Sequence, residues 1–256
     1  MLADLRPNRI AVGPYVVFSR QRRSDGLAVV LVHGMGTSSR YMVPTGRRLA
    51  SDFSVYAPDL PGFGQSSKPN QALGIPALVD VLDRWMTADG IPHAAMVGNS
   101  FGCQVIAEFG IQHPERLSAA VLQGPTMDAS DRSPLGQFRR FLADLPREKL
   151  PEYALNANDY WRTGVPRLLE TFRIALSDRI EEKMPRLAMP VLVVRGRHDP
   201  IVSEAWARRL ASLAPDGQFV TTRGAHTPNF SEPDAFSQVV RSFLNRRLGF
   251  EPRPPA

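Results

Sequence analysis

One cysteine, Cys103, stands in a chain of 256 residues. No intrachain disulfide can form, and a zinc site built from several thiolates is excluded. Lysine is nearly as scarce, occurring only at positions 68, 149 and 183, so arginine carries the basic character. Long apolar runs are missing too. Residues 27–32 and 191–194 form the longest, against the ~20 apolar residues a bilayer span needs. Near the amino terminus, charged and apolar residues alternate through residues 1–10 without the apolar core of a secretory leader, so the expected compartment is the cytoplasm and no membrane partner is expected. The formal charge is +6 and the isoelectric point about 10.0. These arginines are scattered, with no long run and no interleaved aromatic platform, which predicts a solvated basic surface and no nucleic-acid partner.

What is present is ordinary globular material: 43% hydrophobic and 22% charged residues, enough for one large α/β domain. Short apolar or β-branched runs predict strands at 9–12, 15–19, 27–32, 53–57, 94–97, 119–122, 191–194 and 218–221. Amphipathic stretches predict helices at 41–50, 75–89, 101–113, 204–213 and 233–247. In the last of these, Phe236, Val239, Val240, Phe243 and Leu244 share one helical face, and Ser231 with Asp234 resembles a cap. The alternation predicts a mostly parallel central sheet of about eight strands with helices on both faces. It breaks over residues 126–188, which carry no strand signal and are too long for a plain loop. This segment is expected to be a helical cap inserted in a core of residues 1–125 and 189–250, with 251–256 a flexible proline-rich tail. Helices expected at 136–142 and 167–177 would bring Phe138, Leu142, Leu168 and Phe172 over the site, and Trp161 is a further candidate for contact with substrate.

Chemistry concentrates in four short segments. Gly98-Asn99-Ser100-Phe101-Gly102 lies between a predicted strand and a predicted helix. Small residues two before and two after a serine allow the sharp turn that lifts its Oγ clear of a sheet. His33-Gly34-Met35-Gly36 follows another strand. There, glycines let main chain approach a substrate, and the amides of Met35 and Phe101 could form a two-donor oxyanion hole, with Gly34 and Gly36 close to the ligand. His33 is expected to brace the loop. Asp199, after the strand at 191–194, and His226, after the strand at 218–221, could complete a nucleophile–base–acid set with Ser100. Asp128, after the strand at 119–122, is a rival acid. The other histidines fit less well: His93 and His113 lie at the wrong ends of their elements, and His198 sits beside the acid. Cys103 is expected to pack its helix against the sheet.

Together these segments resemble the α/β-hydrolase fold superfamily over about residues 10–248, in the chain order Ser100, Asp199, His226. The resemblance extends to the stretch from Ala57 to Ser66, where Asp59 is expected to hold a loop. It implies a serine hydrolase with a Ser-Asp-His triad, acting on a small-molecule ester or related acyl substrate, as a monomer or homodimer, without metal or organic cofactor. Serine at the nucleophile position separates the chain from the dehalogenases and epoxide hydrolases that use aspartate. The elbow is similar to that of hydrolases cleaving carbon–carbon bonds in meta-cleavage products. It departs from them at Cys103 and Thr227, where those enzymes often carry glycine and tryptophan. Three readings follow: a carboxylic-ester hydrolase; a carbon–carbon hydrolase or lactonase, the former with Arg139, Arg140 or Arg173 holding a substrate carboxylate; and a non-catalytic ligand receptor.

Overall fold

The computed structural model describes residues 4–249; the proline-rich tail lies outside them. Eight strands form one sheet: β1 (Arg6–Val12), β2 (Tyr15–Arg22), β3 (Ala28–Val32), β4 (Ser54–Pro58), β5 (Ala94–Asn99), β6 (Leu117–Gln123), β7 (Val191–Gly196) and β8 (Gly217–Thr222). Their order is β1-β2-β4-β3-β5-β6-β7-β8, and β2 alone runs antiparallel to its neighbours. Helices α1 (Val43–Leu49), α2 (Ile75–Ala88) and α3 (Phe101–Gln112) occupy the first half of the chain. Four follow between β6 and β7: α4 (Pro134–Asp144), α5 (Leu150–Thr163), α6 (Val165–Ser177) and α7 (Ile180–Lys183). The remaining three are α8 (Glu204–Leu213), α9 (Pro228–Ser231) and α10 (Pro233–Leu248).

The central strands are apolar through their middles because both faces are covered. Val30, Val32, Met96 and Leu122 pack toward Leu78 and Trp85 of α2, Ile106 of α3 and Trp206 of α8. Their chain neighbours Val29, Leu31, Val97 and Val121 face the other way, onto Leu49 of α1 and Phe236, Val240 and Phe243 of α10. Each such side chain is essentially buried, worth roughly 1.5–3 kcal/mol apiece before chain entropy is charged against it. Among the described residues, no helix is long and apolar enough to cross a membrane.

Three local expectations are corrected. Residues 39–42 form a 3-10 turn ahead of α1, because Ser38 caps a tight turn that Pro44 then redirects. Ser231 does not cap α10: its hydroxyl donates to the Thr227 carbonyl, closing α9, and Asp234 is held instead by Arg48. Helix α5 falls within the segment expected to be a helical cap, but no helix is predicted there with its bounds. It buries Glu152, Asp159 and Thr163 while exposing Leu150 and Trp161, so its polarity runs against the usual pattern.

Candidate active site

Five adjacent strands deliver the candidate residues from their carboxyl ends, the rim where open α/β sheets present ligand sites. The His33 loop follows β3, Ser100 follows β5, Gly124 follows β6, Asp199 follows β7 and His226 lies beyond β8.

Ser100 is the one described non-glycine residue with positive φ (53°, ψ −117°), and it sits immediately before α3. The turn closes because its neighbours have no side chains. A Cβ at Gly102 would fall 2.5 Å from the Val32 carbonyl oxygen, and one at Gly98 would fall 2.9 Å from Gly102 main chain. Helix propensity favours alanine over glycine by about 1 kcal/mol, but a main-chain oxygen cannot rotate away. Gly102→Ala is therefore expected to destabilise the fold by about 1–3 kcal/mol, read as a melting temperature lower by several degrees. Cys103 seats the same turn. Its buried Sγ donates to the Gly98 and Gln123 carbonyls at 3.3 Å, and burial pushes the thiol pKa well up, which leaves it unreactive.

Asp199 and His226 come together: Nδ1 of the imidazole lies 2.9 Å from Asp199 Oδ2. The other carboxylate oxygen accepts the Ile201 and Val202 amides at 2.8 and 3.0 Å, which fixes its orientation. Both side chains are buried. Burial alone would favour the neutral imidazole, but Asp199 outweighs it and the His226 pKa rises to about 9. Gly124 (φ +56°) makes the fit possible, since a Cβ there would lie 2.9 Å from His226 Cε1. Ser100 Oγ lies 3.5 Å from the Thr126 hydroxyl, on the same rim.

The rival acid is committed elsewhere. Asp128 accepts from the Ser203 hydroxyl at 2.6 Å and from Ser130, and Arg140 lies 3.6 Å away. Burial opposes its charge, yet these partners hold its pKa below the ordinary value. Arg140 is thereby occupied as well, also lying 3.5 Å from Asp131 and donating to the Ile201 carbonyl. Arg139 and Arg173 are exposed.

His33 braces its loop. Nε2 accepts the Leu60 amide at 2.9 Å, which leaves Nδ1 to carry the proton toward the Gly34 carbonyl at 2.8 Å, and burial lowers its pKa. Asp59 accepts the Ser39 and Gln65 amides and so holds the adjoining loop. His198 and His93 are exposed, and His113 packs on Phe109 away from the rim.

Several residues missed by the sequence reading connect these parts. The Gly34 amide donates to the Tyr41 hydroxyl (2.8 Å), which donates to Asn99 Oδ1 (2.5 Å). Asn99 Nδ2 donates to Gln123 Oε1 (2.7 Å) and the His226 carbonyl (3.2 Å); Gln123 Nε2 also donates to that carbonyl (2.6 Å). One buried chain of hydrogen bonds thus ties the glycine loop, the elbow and the histidine loop. The only prior signal was polar residues ending otherwise apolar strands.

Met35 is half-buried against the core, and Phe101 opens α3, where its amide has no acceptor within the helix. Of the inserted residues, Leu168 meets the site region: a Cβ at Gly36 would lie 2.6 Å from it and from the Tyr160 ring. Phe172, one turn on, packs against the core. Phe138 and Leu142, expected over the site, and Trp161, a candidate for contact with substrate, lie at the surface. They are 56%, 46% and 87% exposed, because α4 turns Gln137 and Asp144 inward and α5 turns in its polar face.

A family model described as the alpha/beta hydrolase family matches residues 29–239, and the chain belongs to that family of hydrolases. It is 28% identical to the 2-hydroxymuconate semialdehyde hydrolase of Pseudomonas putida, over 87% of this chain and 88% of that protein. It is 26% identical to the pimeloyl-acyl-carrier-protein methyl ester esterase of Stenotrophomonas maltophilia, over 86% and 93% of the two chains. The crystal structure of the enol-lactonase from Burkholderia xenovorans superposes with a TM-score of 0.78 at 22% identity, covering 93% of this chain and 100% of that one, a likeness of fold alone.

Proposed function

We propose that the protein hydrolyses carboxylic esters of small or medium acyl groups through an acyl-enzyme on Ser100. The observation that carries this reading is a serine held at positive φ on the same strand-end rim as the buried His226–Asp199 pair. His226 Nε2 takes the Ser100 proton as Oγ attacks the ester carbonyl. The amides of Met35 and Phe101 receive the oxyanion. Collapse expels the alcohol, which takes the proton from His226. Water then gives a proton to His226 as its oxygen attacks the acyl carbon; the acyl–Oγ bond breaks, His226 returns the proton to Oγ, and the carboxylic acid leaves. Asp199 holds the tautomer and balances the imidazolium. Residues 126–188 serve as the cap, with Leu168 and Phe172 toward the substrate.

Esters are favoured over meta-cleavage acids by charge. Arg140 is occupied by Asp128 and Asp131, while Glu148 accepts the amide of Thr227, the residue after His226. A substrate carboxylate there would meet the Glu148 carboxyl, and Arg140 is not free to hold it. The test is a panel of p-nitrophenyl acetate, butyrate and octanoate set beside a lactone and a ring-fission dienoic keto acid. Turnover of the short esters at least ~10-fold above the keto acid in kcat/KM, a difference of about 1.4 kcal/mol, is expected. Turnover of the keto acid with the esters inert would replace this reading with the carbon–carbon one.

A further inference from the structure

Three acidic residues of the inserted segment meet the loop that carries His226, and the proposed chemistry does not use them. The Thr227 amide donates to Glu148 Oε1 at 2.9 Å. Asp144, at the end of α4, and Glu152, in the first turn of α5, are 6% and 1% exposed. One oxygen of each of the three carboxyls is buried without a well-formed hydrogen bond, and the Thr227 side chain lies beside Glu152. The neighbouring cation, Lys149, turns the other way, donating to the Ser231 carbonyl and lying 3.2 Å from Glu232. Crowding acids into a buried junction costs stability. Stability alone therefore does not account for the cluster.

We propose that Glu148, with Asp144 and Glu152 beside it, is a positioning residue that ties the inserted helices to the His226 loop and sets negative charge against the imidazole. The proposal rests on His226 acting as the general base. Two short links make the tie, Glu148 to the Thr227 amide and Lys149 to Ser231, and between them they grip both ends of α9. After burial, which acts against it, and Asp199, the groups that favour the charged imidazole are Asp144 and Glu148. Burial raises Asp144 to about 7; Glu148 and Asp199 push the same way, against His226. Burial also raises Glu152 to about 8, aided by Glu148 and Asp144. Tyr153, whose pKa burial and the same acids raise, faces the cluster too. Well below pH 7 Asp144 and Glu152 are largely neutral. As pH rises past 8 they ionise, in the range where His226 is becoming the free base. Coupling between the inserted segment and the histidine is thus sensitive to pH.

The experiment compares Glu148→Gln with Glu148→Ala by kcat/KM against pH, using a p-nitrophenyl ester and wild-type enzyme as reference. Glutamine keeps an acceptor for the Thr227 amide but removes the charge. Its acid limb is expected to move to lower pH by about half a unit to one unit, because less negative charge faces the imidazolium. Alanine removes both. Its kcat is expected to fall by about 10-fold or more with KM within ~2-fold, as for a misplaced base, and glutamine should recover most of that loss. A limb within ~0.2 unit of wild type in both variants, or equal kcat losses in both, overturns the proposal; a 0.2-unit change is below 0.3 kcal/mol on the scale of 1.36 kcal/mol per unit. If the alanine variant fails to fold, the limb of the glutamine variant decides alone. Fluorophosphonate labelling of wild-type Ser100 separates the two failures. An unlabelled serine refutes the triad reading, whereas labelled Ser100 with an unmoved limb refutes the role of Glu148.

Discussion

Ser100→Ala is expected to lower kcat for a p-nitrophenyl ester by about 10⁴-fold or more, leaving only the residual acceleration that an oxyanion hole and binding supply. The fold should survive the change. Alanine inherits the same φ of 53°, the Ser100 amide keeps its bond to the Gln123 carbonyl at 2.9 Å, and only Oγ is removed. The melting temperature should therefore move little while turnover collapses, which separates a chemical role from a structural one. KM, where measurable, should stay within a few-fold, because Oγ contributes to bond making more than to ground-state binding. The Thr126 hydroxyl, on the next strand's loop, lies 3.5 Å from Oγ. Ser100→Ala with full turnover would point to another nucleophile.

The second large effect separates the two acids. Asp199→Asn is expected to cost about 10³–10⁴ in kcat, because an amide facing Nδ1 can stabilise the wrong imidazole tautomer and cannot balance an imidazolium. Asp128→Asn should keep kcat within a few-fold and lose stability instead, since it disturbs the Ser130, Ser203 and Arg140 contacts. Stability carries a matching signature. His226 has a folded-state pKa of about 9 against an ordinary 6.5. The stabilisation from its pairing with Asp199 is therefore complete below about pH 6.5 and lost as pH rises through about 9. The melting-temperature gap between wild type and Asp199→Asn should be wide at pH 6 and narrow toward pH 10. A gap that grows with pH would contradict the pairing.

The parts of this molecule that can be read from its sequence are those where one pattern has one outcome. A strand buried on both faces must be a continuous apolar run, so β3, β5, β6 and β7 are visible as such. Small residues flanking Ser100 are demanded by the closeness of β3: a Cβ at Gly102 would fall 2.5 Å from the Val32 carbonyl oxygen. Choosing between Asp128 and Asp199 is different, because both follow strands that end on the same rim. Only the path of each loop decides, and Ser203 reaching back to Asp128 is a contact across 75 residues. The network through Tyr41, Asn99 and Gln123 is hidden for the same reason. Most misleading are the inserted helices. Phe138 and Leu142 are expected over the site, yet they are exposed on α4 while Gln137 and Asp144 are buried. On α5 the buried face is acidic, so a rule that puts charge outside inverts the helix.

The central claim is that Ser100 is an acyl-accepting nucleophile activated by His226, and intact-mass spectrometry after fluorophosphonate treatment tests it most directly. The account predicts one adduct per chain, mapped by peptide digestion to the segment containing Ser100. The adduct should be absent in Ser100→Ala and strongly slowed in His226→Ala. An adduct on another serine or threonine, or labelling of the wild type no faster than of Ser100→Ala, would contradict it.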